Sequence, residues 1–345
     1  VPKGCLPLLS ALALGMAPGV VTWLRVGPAV GLLVGVGGFL WGLWLLIWVP
    51  HRLGQRPLRT LLLPLGFGKG IGELGRRLGL APAELRAFRC RYREVFIPKR
   101  RSGRRRLLVP DEATKALQRR ILHRVLGRLK AHPAAHAYER GRSVATNAAP
   151  HAGQAVVLKL DLVDFFPRTT RVRVVRYFRQ IGWGRGAATL LADLTTHEGG
   201  LPQGAPTSPR LANLVNGQLD RLVERHVRRH RGTYTRYADD LTISFPEDWP
   251  RHVRGTIQVV RRVAATQGYR VHGRPKLGIW RRHQRQLVTG VVVNAAPDLP
   301  REVRRRLRAI EHRLRTTGKA TLTAPQLAGW KAYRHMLLRA RGPRA

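Results

Sequence analysis

Acidic residues are scarce in this sequence. Asp and Glu number 19 in 345 residues against 63 Lys and Arg, a formal net charge of +44 and an isoelectric point of about 11.9. A genome rich in G and C accounts for Arg over Lys, but not for the missing acids. So large an imbalance points to a polyanionic partner, because each Lys or Arg placed near a phosphate releases a condensed counterion. Most of the cations are Arg, whose planar fork matches phosphate bidentately. Cysteine is nearly absent. Cys5 and Cys90 stand far apart, which excludes a disulfide scaffold and a Cys-based zinc site and suits a reducing cytosol. No internal repeat is visible, so a solenoid is excluded.

Charge of either sign is also missing from residues 4–24 and 26–50, with only Arg25 between them. The second stretch, with Leu40, Trp41, Leu43 to Leu46, Ile47 and Trp48, exceeds the about 20 residues that cross a bilayer core. The first is interrupted by Pro7 and Pro18. Arg52, Arg56 and Arg59 follow at once, which would put that end in the cytoplasm. Two apolar stretches in tandem fit a signal peptide poorly. Three readings stay open: a membrane anchor or hairpin through residues 4–50, tethering a cytoplasmic protein to the inner membrane; an apolar helix buried in the protein or against a partner; and a start site set too far upstream, the chain beginning with Val.

From about Gly66 the composition is that of a basic soluble domain. Leu117, Ile121 and Val125 recur at helical spacing, as do Leu211, Leu214, Val215, Leu219, Leu222 and Val223. Residues 156–162 form a short apolar run of strand character. Residues 233–245 read as a hairpin whose second arm alternates Leu241, Ile243 and Phe245. Residues 301–315 predict a strongly basic helix, either a solvated face or a grip on a duplex. Helices and short strands therefore intermix, an α/β (α+β) chain.

Three segments carry chemistry. Asp161 ends the run Val156 to Leu160 and is followed by Asp164, Phe165 and Phe166. An acid ending a buried strand is costly unless neutralised; on its own it could be a strand-end cap. In Tyr237-Ala238-Asp239-Asp240 two adjacent carboxylates sit where the arms of the hairpin meet. Like charges so close raise one pKa unless a cation is bound. A turn Asp is normally followed by Gly or Asn, whereas apolar strand residues follow here. If the hairpin tip lies beside Asp161, three carboxylates gather, a set that can hold two hard cations for in-line phosphoryl transfer. Between them, Leu201-Pro202-Gln203-Gly204 and Ala205 to Pro209 make a rigid turn into a helix beginning near Arg210, presenting N–H donors to a sugar-phosphate or a nucleotide.

In this order the three segments resemble the catalytic palm of reverse transcriptases, from about Gly72 to the C-terminus. Two further motifs resemble the bacterial retron branch. Asn147-Ala148-Ala149-Pro150-His151 is similar to its Asn-Ala-x-x-His signature, and Val288-Thr289-Gly290 to its Val-Thr-Gly signature. The resemblance implies a right-hand polymerase. Residues 1–51 would be the apolar segment, 52–155 N-terminal helices and fingers, 156–297 the palm, and 298–345 a basic helical thumb. It implies Asp161, Asp239 and Asp240 as catalytic ligands of two Mg²⁺ ions (or Mn²⁺), and Phe166 as the gate against a 2′-OH. It implies Gln203 as a wall of the nucleotide pocket and Lys99 and Arg105 as triphosphate contacts, with the register among Arg104, Arg105 and Arg106 open and a solvated basic loop as the alternative. Lys276 resembles the lysine that protonates pyrophosphate, although His272-Gly273 stands where the family usually has Asn. Asn147 and His151 are four apart and share a face if helical, as a buried hydrogen-bonding pair or as RNA contacts. His136 and His272 are most simply surface or satisfied histidines.

The implied partners are dNTPs, a structured noncoding RNA template with its DNA product, and an effector protein in antiphage defence. The product would be a branched RNA–DNA hybrid begun from a 2′-OH. Two rivals remain: a group II intron or diversity-generating reverse transcriptase, and an inert membrane-tethered RNA-binding protein.

Overall fold

The computed structural model describes residues 68–98, 103–273 and 276–340. The apolar segment 1–51, with the membrane reading of residues 4–50, lies outside them, as does Lys99. Among the described residues no helix is long and apolar enough to cross a membrane. Cys90 is a free thiol.

The chain divides into two units. In the smaller, residues 68–71 and 178–188 are joined by a parallel bridge between Lys69 and Trp183. Lys69 N donates to Gly182 O at 2.9 Å and Gly184 N to Lys69 O at 3.0 Å. The larger, Gly72–Tyr177 with Thr189–Ala345, carries the main sheet and every described site residue predicted above.

In chain order, α1 (Ile71–Leu78) and α2 (Pro82–Ala87) precede the hairpin of β1 (Tyr92–Pro98) and β2 (Arg104–Pro110). Then come α3 (Glu112–Ile121) and the short α4 (Val144–Ala148). Asp111 caps α3 by accepting from Thr114 N at 2.8 Å. The strand β3 (Val156–Asp161) is followed by α5 (Phe165–Arg168), α6 (Arg171–Gln180), α7 (Arg185–Asp193), α8 (Ser208–Val215) and α9 (Gly217–Arg229). The hairpin of β4 (Thr233–Tyr237) and β5 (Asp240–Phe245) leads to α10 (Pro250–Thr266) and β6 (Gly278–Arg281). A small hairpin, β7 (Leu287–Val288) with β8 (Val291–Val292), and two helices, α11 (Arg301–Thr317) and α12 (Ala324–Arg339), complete the described chain.

The main sheet has the order β4-β5-β3-β6, with every neighbour antiparallel. Side chains alternate between its faces. One face carries Leu158, Leu160, Leu241 and Ile243, all buried; on this side α9 packs on β4 and α10 on α9. The other face carries Lys159, Asp161, Asp240, Thr242 and Ser244, the cross-strand partners running Asp161 with Asp240, Lys159 with Thr242 and Val157 with Ser244. At the far end from the acids this face is covered. Val157 joins Ala145, Ala148, Val288, Val291, Val293, Leu299 and Leu337 in one apolar cluster, which draws α4, the β7–β8 hairpin and α12 together. The apolar spacing across residues 211–223 belongs to two helices rather than one. Asn216 separates them, its Nδ2 donating to Ala212 O at 2.8 Å and to the Tyr269 hydroxyl at 3.0 Å, so that a side chain takes a carbonyl the helix ladder would use.

His151 locks the covered end. Its Nδ1 lies 2.7 Å from Ser244 Oγ on β5 and its Nε2 2.8 Å from Thr235 Oγ1 on β4. A neutral imidazole makes one bond as donor and the other as acceptor. Burial, then nearby His136, push its pKa down to about 3; burial and Arg142 push His136 down to about 4. In the unfolded chain both histidines titrate near pH ~6.5. Above that pH they leave stability unchanged. Below it the unfolded state binds more protons, and stability falls by roughly 1.4 kcal/mol per pH unit for each such histidine. Urea denaturation should therefore give a lower unfolding free energy at pH 5 than at pH 7. His151→Gln, which bonds but does not titrate, should narrow that gap; an unchanged gap would show that another group is responsible.

Candidate active site

The turn between β4 and β5 has two residues, Ala238 and Asp239. Such turns require positive φ, usually supplied by Gly; here Ala238 adopts it, at φ 58°. The turn is held from both sides. Leu162 N donates to Asp239 O at 3.0 Å, which ties it to the end of β3. Beneath it, Arg236 Nη1 donates to Ala238 O at 3.1 Å and to Asn213 Oδ1 at 3.1 Å. The guanidinium forks onto Asp220, with Nε to Oδ1 and Nη2 to Oδ2 both at 2.7 Å, and neither side chain has any exposed surface. Burial opposes the charge of Arg236, but Asp220 outweighs it and holds the pKa above its ordinary value. Tyr234 adds a hydrogen bond to Asp220 at 2.8 Å.

This frame sets Asp240 directly across from Asp161, with Asp239 in the adjoining turn. Basic side chains face the acids. Lys276 Nζ is 3.0 Å and His272 Nε2 3.2 Å from Asp161 Oδ1, and Lys159 Nζ is 2.9 Å from Asp240 Oδ2. Burial, then the charges of Asp161 and Asp240, push Asp239 up to about 6. Burial raises Asp240 as well, against the pull of Lys159. Among the described residues no three His, Cys, Asp or Glu groups converge closely enough to hold a metal ion as they stand; Asp161 and Asp240 are turned onto lysines instead. The donor set nonetheless suits a hard divalent cation, consisting of carboxylate oxygens whose mutual repulsion such an ion would relieve.

Other predicted residues gather here. Asp164, at φ 50°, turns the chain from β3 into α5. There Phe165 is buried, whereas Phe166 is half-exposed. The Leu201–Gly204 loop is strung between α5 and β2. Leu201 N donates to Phe166 O at 3.2 Å, and Leu108 N to Gln203 O at 2.8 Å. Gly204, at φ 126°, comes so close to β2 that a Cβ would lie 2.9 Å from Leu108 O. Of the three arginines of β2, Arg106 is set apart by its acidic partners. Arg106 is engaged by Glu94 and Glu198, whereas Arg105 has no ionic partner among the described residues.

The two signature motifs lie elsewhere and meet each other. Asn147 Nδ2 reaches Thr289 Oγ1 at 3.5 Å; Gly290 takes φ 83° beside it. Asn147 and His151 have no exposed surface, and Val288 is buried too. Both side chains are enclosed, but with separate partners, Asn147 with Thr289 and His151 with Ser244 and Thr235.

Sequence reasoning missed Lys159, Arg236, Asn213 and the placement of His272. Lys159 had a signal, since it sits two residues before Asp161 and so on the same strand face. His272 and Asn213 had none within reach of spacing rules, because their partners are distant in sequence.

The fold and the family comparison agree on a polymerase of mixed helices and strands. The model of the reverse transcriptase (RNA-dependent DNA polymerase) family matches residues 97–274, just over half of the chain, and the chain belongs to that family. Within the family it is of the bacterial retron type. The reverse transcriptase of retron Mx162 from Myxococcus xanthus is 38% identical over 283 residues, covering 72% of this chain and 57% of its own. That of retron Mx65 from the same organism is 39% identical over 248 residues, covering 64% and 57%. That of retron Ec86 from Escherichia coli is 37% identical over 156 residues, covering 45% and 49%. The chain thus spans between about half and three fifths of the length of these relatives. An apo telomerase structure from Candida tropicalis aligns with TM-score 0.43 and 11% identity over 61% of this chain and 55% of its own.

Arg236→Met should lower the unfolding free energy by about 3–5 kcal/mol, because it leaves Asp220 charged, buried and unpaired. Arg236→Met combined with Asp220→Leu should recover much of that loss. Denaturation of the two single variants and the double variant tests this; simple additivity would mean that the pair does not act as a unit.

Proposed function

We propose that the chain is an RNA-directed DNA polymerase that copies a structured noncoding RNA into DNA from dNTPs. The observation that carries this reading is the pairing of Asp161 with Asp240 across adjacent strands, with Asp239 in the turn between β4 and β5. Asp161, Asp239 and Asp240 would hold two Mg²⁺ ions, or Mn²⁺. Bound there, the ions would supply Lewis-acid stabilisation of the attacking and leaving oxygens of an in-line displacement.

The rest of the chain supplies position. The β1–β2 hairpin belongs to the fingers, within 52–155, and brings Arg105 to the triphosphate; Lys99, outside the described residues, is the second proposed triphosphate contact. The main sheet is the palm, within 156–297, where Phe166 denies room to a 2′-OH and Gln203 lines the nucleotide pocket. Lys276, at Asp161, gives a proton to the departing pyrophosphate. The arginine-rich α11, with α12 in the thumb of 298–345, grips the duplex through its phosphates. The likeness to retron enzymes supports the finer part of the reading: synthesis begun from a 2′-OH of the RNA, a branched RNA–DNA product, and a role with an effector in antiphage defence. Tethering to the cytoplasmic face of the inner membrane through residues 4–50 belongs to the same proposal.

Asp239→Asn should reduce primer extension to background while RNA affinity stays within about twofold, since binding rests on the basic surface and an amide is a poor ligand for Mg²⁺. Extension at the wild-type rate would remove the polymerase reading. Phe166→Ala should raise the ratio of ribonucleotide to deoxynucleotide incorporation at least roughly tenfold, as removal of a steric exclusion does. A constant ratio with retained activity would make Phe166 a packing residue only.

A further inference from the structure

Tyr138 is out of place by every local rule. Its backbone sits in the left-handed region at φ 60°, where bulky side chains are outliers. Its ring is 53% exposed, although the residues just before it, Ala134 to Ala137, are all buried. No hydrogen bond holds its hydroxyl among the described residues. Strain of this kind persists only where the surroundings over-determine it, and it collects at functional sites.

The surroundings do so here. Residues 134–136 run along the free edge of β4: Arg236 N donates to Ala134 O at 2.7 Å and His136 N to Arg236 O at 2.8 Å. Asn213 Nδ2 then donates to Ala137 O at 2.6 Å and to Glu139 Oε1 at 3.0 Å, one residue to either side of the tyrosine. Glu139 is also paired with Arg210. The chain is pinned before and after Tyr138, and only the ring projects. Its centroid lies 6.3 Å from that of Phe166, at an interplanar angle of 55°. Burial by its surroundings and the charges of Asp239 and Tyr237 push its phenol up, while Arg105 acts the other way. The ring therefore stands beside the proposed gate, on a segment pinned to the strand that leads into the acid turn.

We propose that Tyr138 contacts the incoming deoxynucleotide, forming with Phe166 an aromatic wall against its sugar and base. This rests on the reading of Asp161, Asp239 and Asp240 as a polymerase centre. Because Asn tolerates the left-handed region, Tyr138→Asn removes the ring while easing the backbone, and Tyr138→Phe keeps the ring.

The test uses the full chain on a primed RNA template with dNTPs. Tyr138→Asn should melt at or above the wild-type temperature and bind template–primer as wild type does. Its KM for dNTP should rise roughly tenfold, the scale of one lost aromatic–base stack, with kcat changed much less. Tyr138→Phe should stay near wild type in both constants. An unchanged KM in Tyr138→Asn, with wild-type extension intact, overturns the proposal alone. A melting temperature and an activity lost together make Tyr138 a structural residue and also overturn it. Absence of extension by the wild-type chain overturns the polymerase reading, and this proposal with it.

Discussion

Beneath the acid-bearing turn, one buried ion pair organises the larger unit. Arg236 and Asp220 are both fully enclosed, and isolated charges so placed would cost several kcal/mol each. The cost is met by satisfaction. Arg236 reaches both oxygens of Asp220, Asn213 Oδ1 and Ala238 O, and its guanidinium lies 5.5 Å from the centroid of the Phe165 ring. These partners come from α9, α8, the β4–β5 turn and α5. A hydrophobic substitute could fill the same volume, but would not set the direction of four separate elements at once.

Asn213 extends that frame. Its carbonyl accepts from Arg236 and its amide donates to Ala137 O and Glu139. The turn that carries Asp239 and the strained segment that carries Tyr138 are thus referred to the same side chain. Positive φ at Ala238 and at Tyr138 is held at two ends of one hydrogen-bonded network. Around the acids the balance is electrostatic. Burial and mutual repulsion raise Asp239 and Asp240, while Lys159 and Lys276 offset the charge of their neighbours. The same carboxylates that suit a divalent ion are engaged by the ammonium groups of Lys159 and Lys276.

Much of this was legible from the chain alone. The strand ending at Asp161 follows from a short apolar run and the hairpin around Asp239 from the alternation of Leu241, Ile243 and Phe245, and both stand where those patterns put them. The basic helix over 301–315 is likewise present, as α11. The apolar residues of 211–223 are helical as their spacing indicates, but periodicity is blind to the Asn216 side chain that divides the segment into two helices. Asn147 and His151 could be read as RNA contacts or as a buried pair; only the packing around them, with Thr289 at Asn147 and with Thr235 and Ser244 at His151, shows that both side chains are enclosed.

By itself the sequence determined the element types, the acid motifs and the strongly basic character, because these depend on local periodicity, short spacing and net charge. Tertiary structure alone decided which basic side chain faces which acid, that Arg106 of β2 pairs with Glu198, and that Tyr138 is presented rather than buried. Those outcomes depend on contacts between residues 70 to 115 positions apart, such as Asn213 with Ala137 and Lys276 with Asp161. No local pattern encodes such contacts, because they arise only when separate elements pack and their side chains satisfy one another.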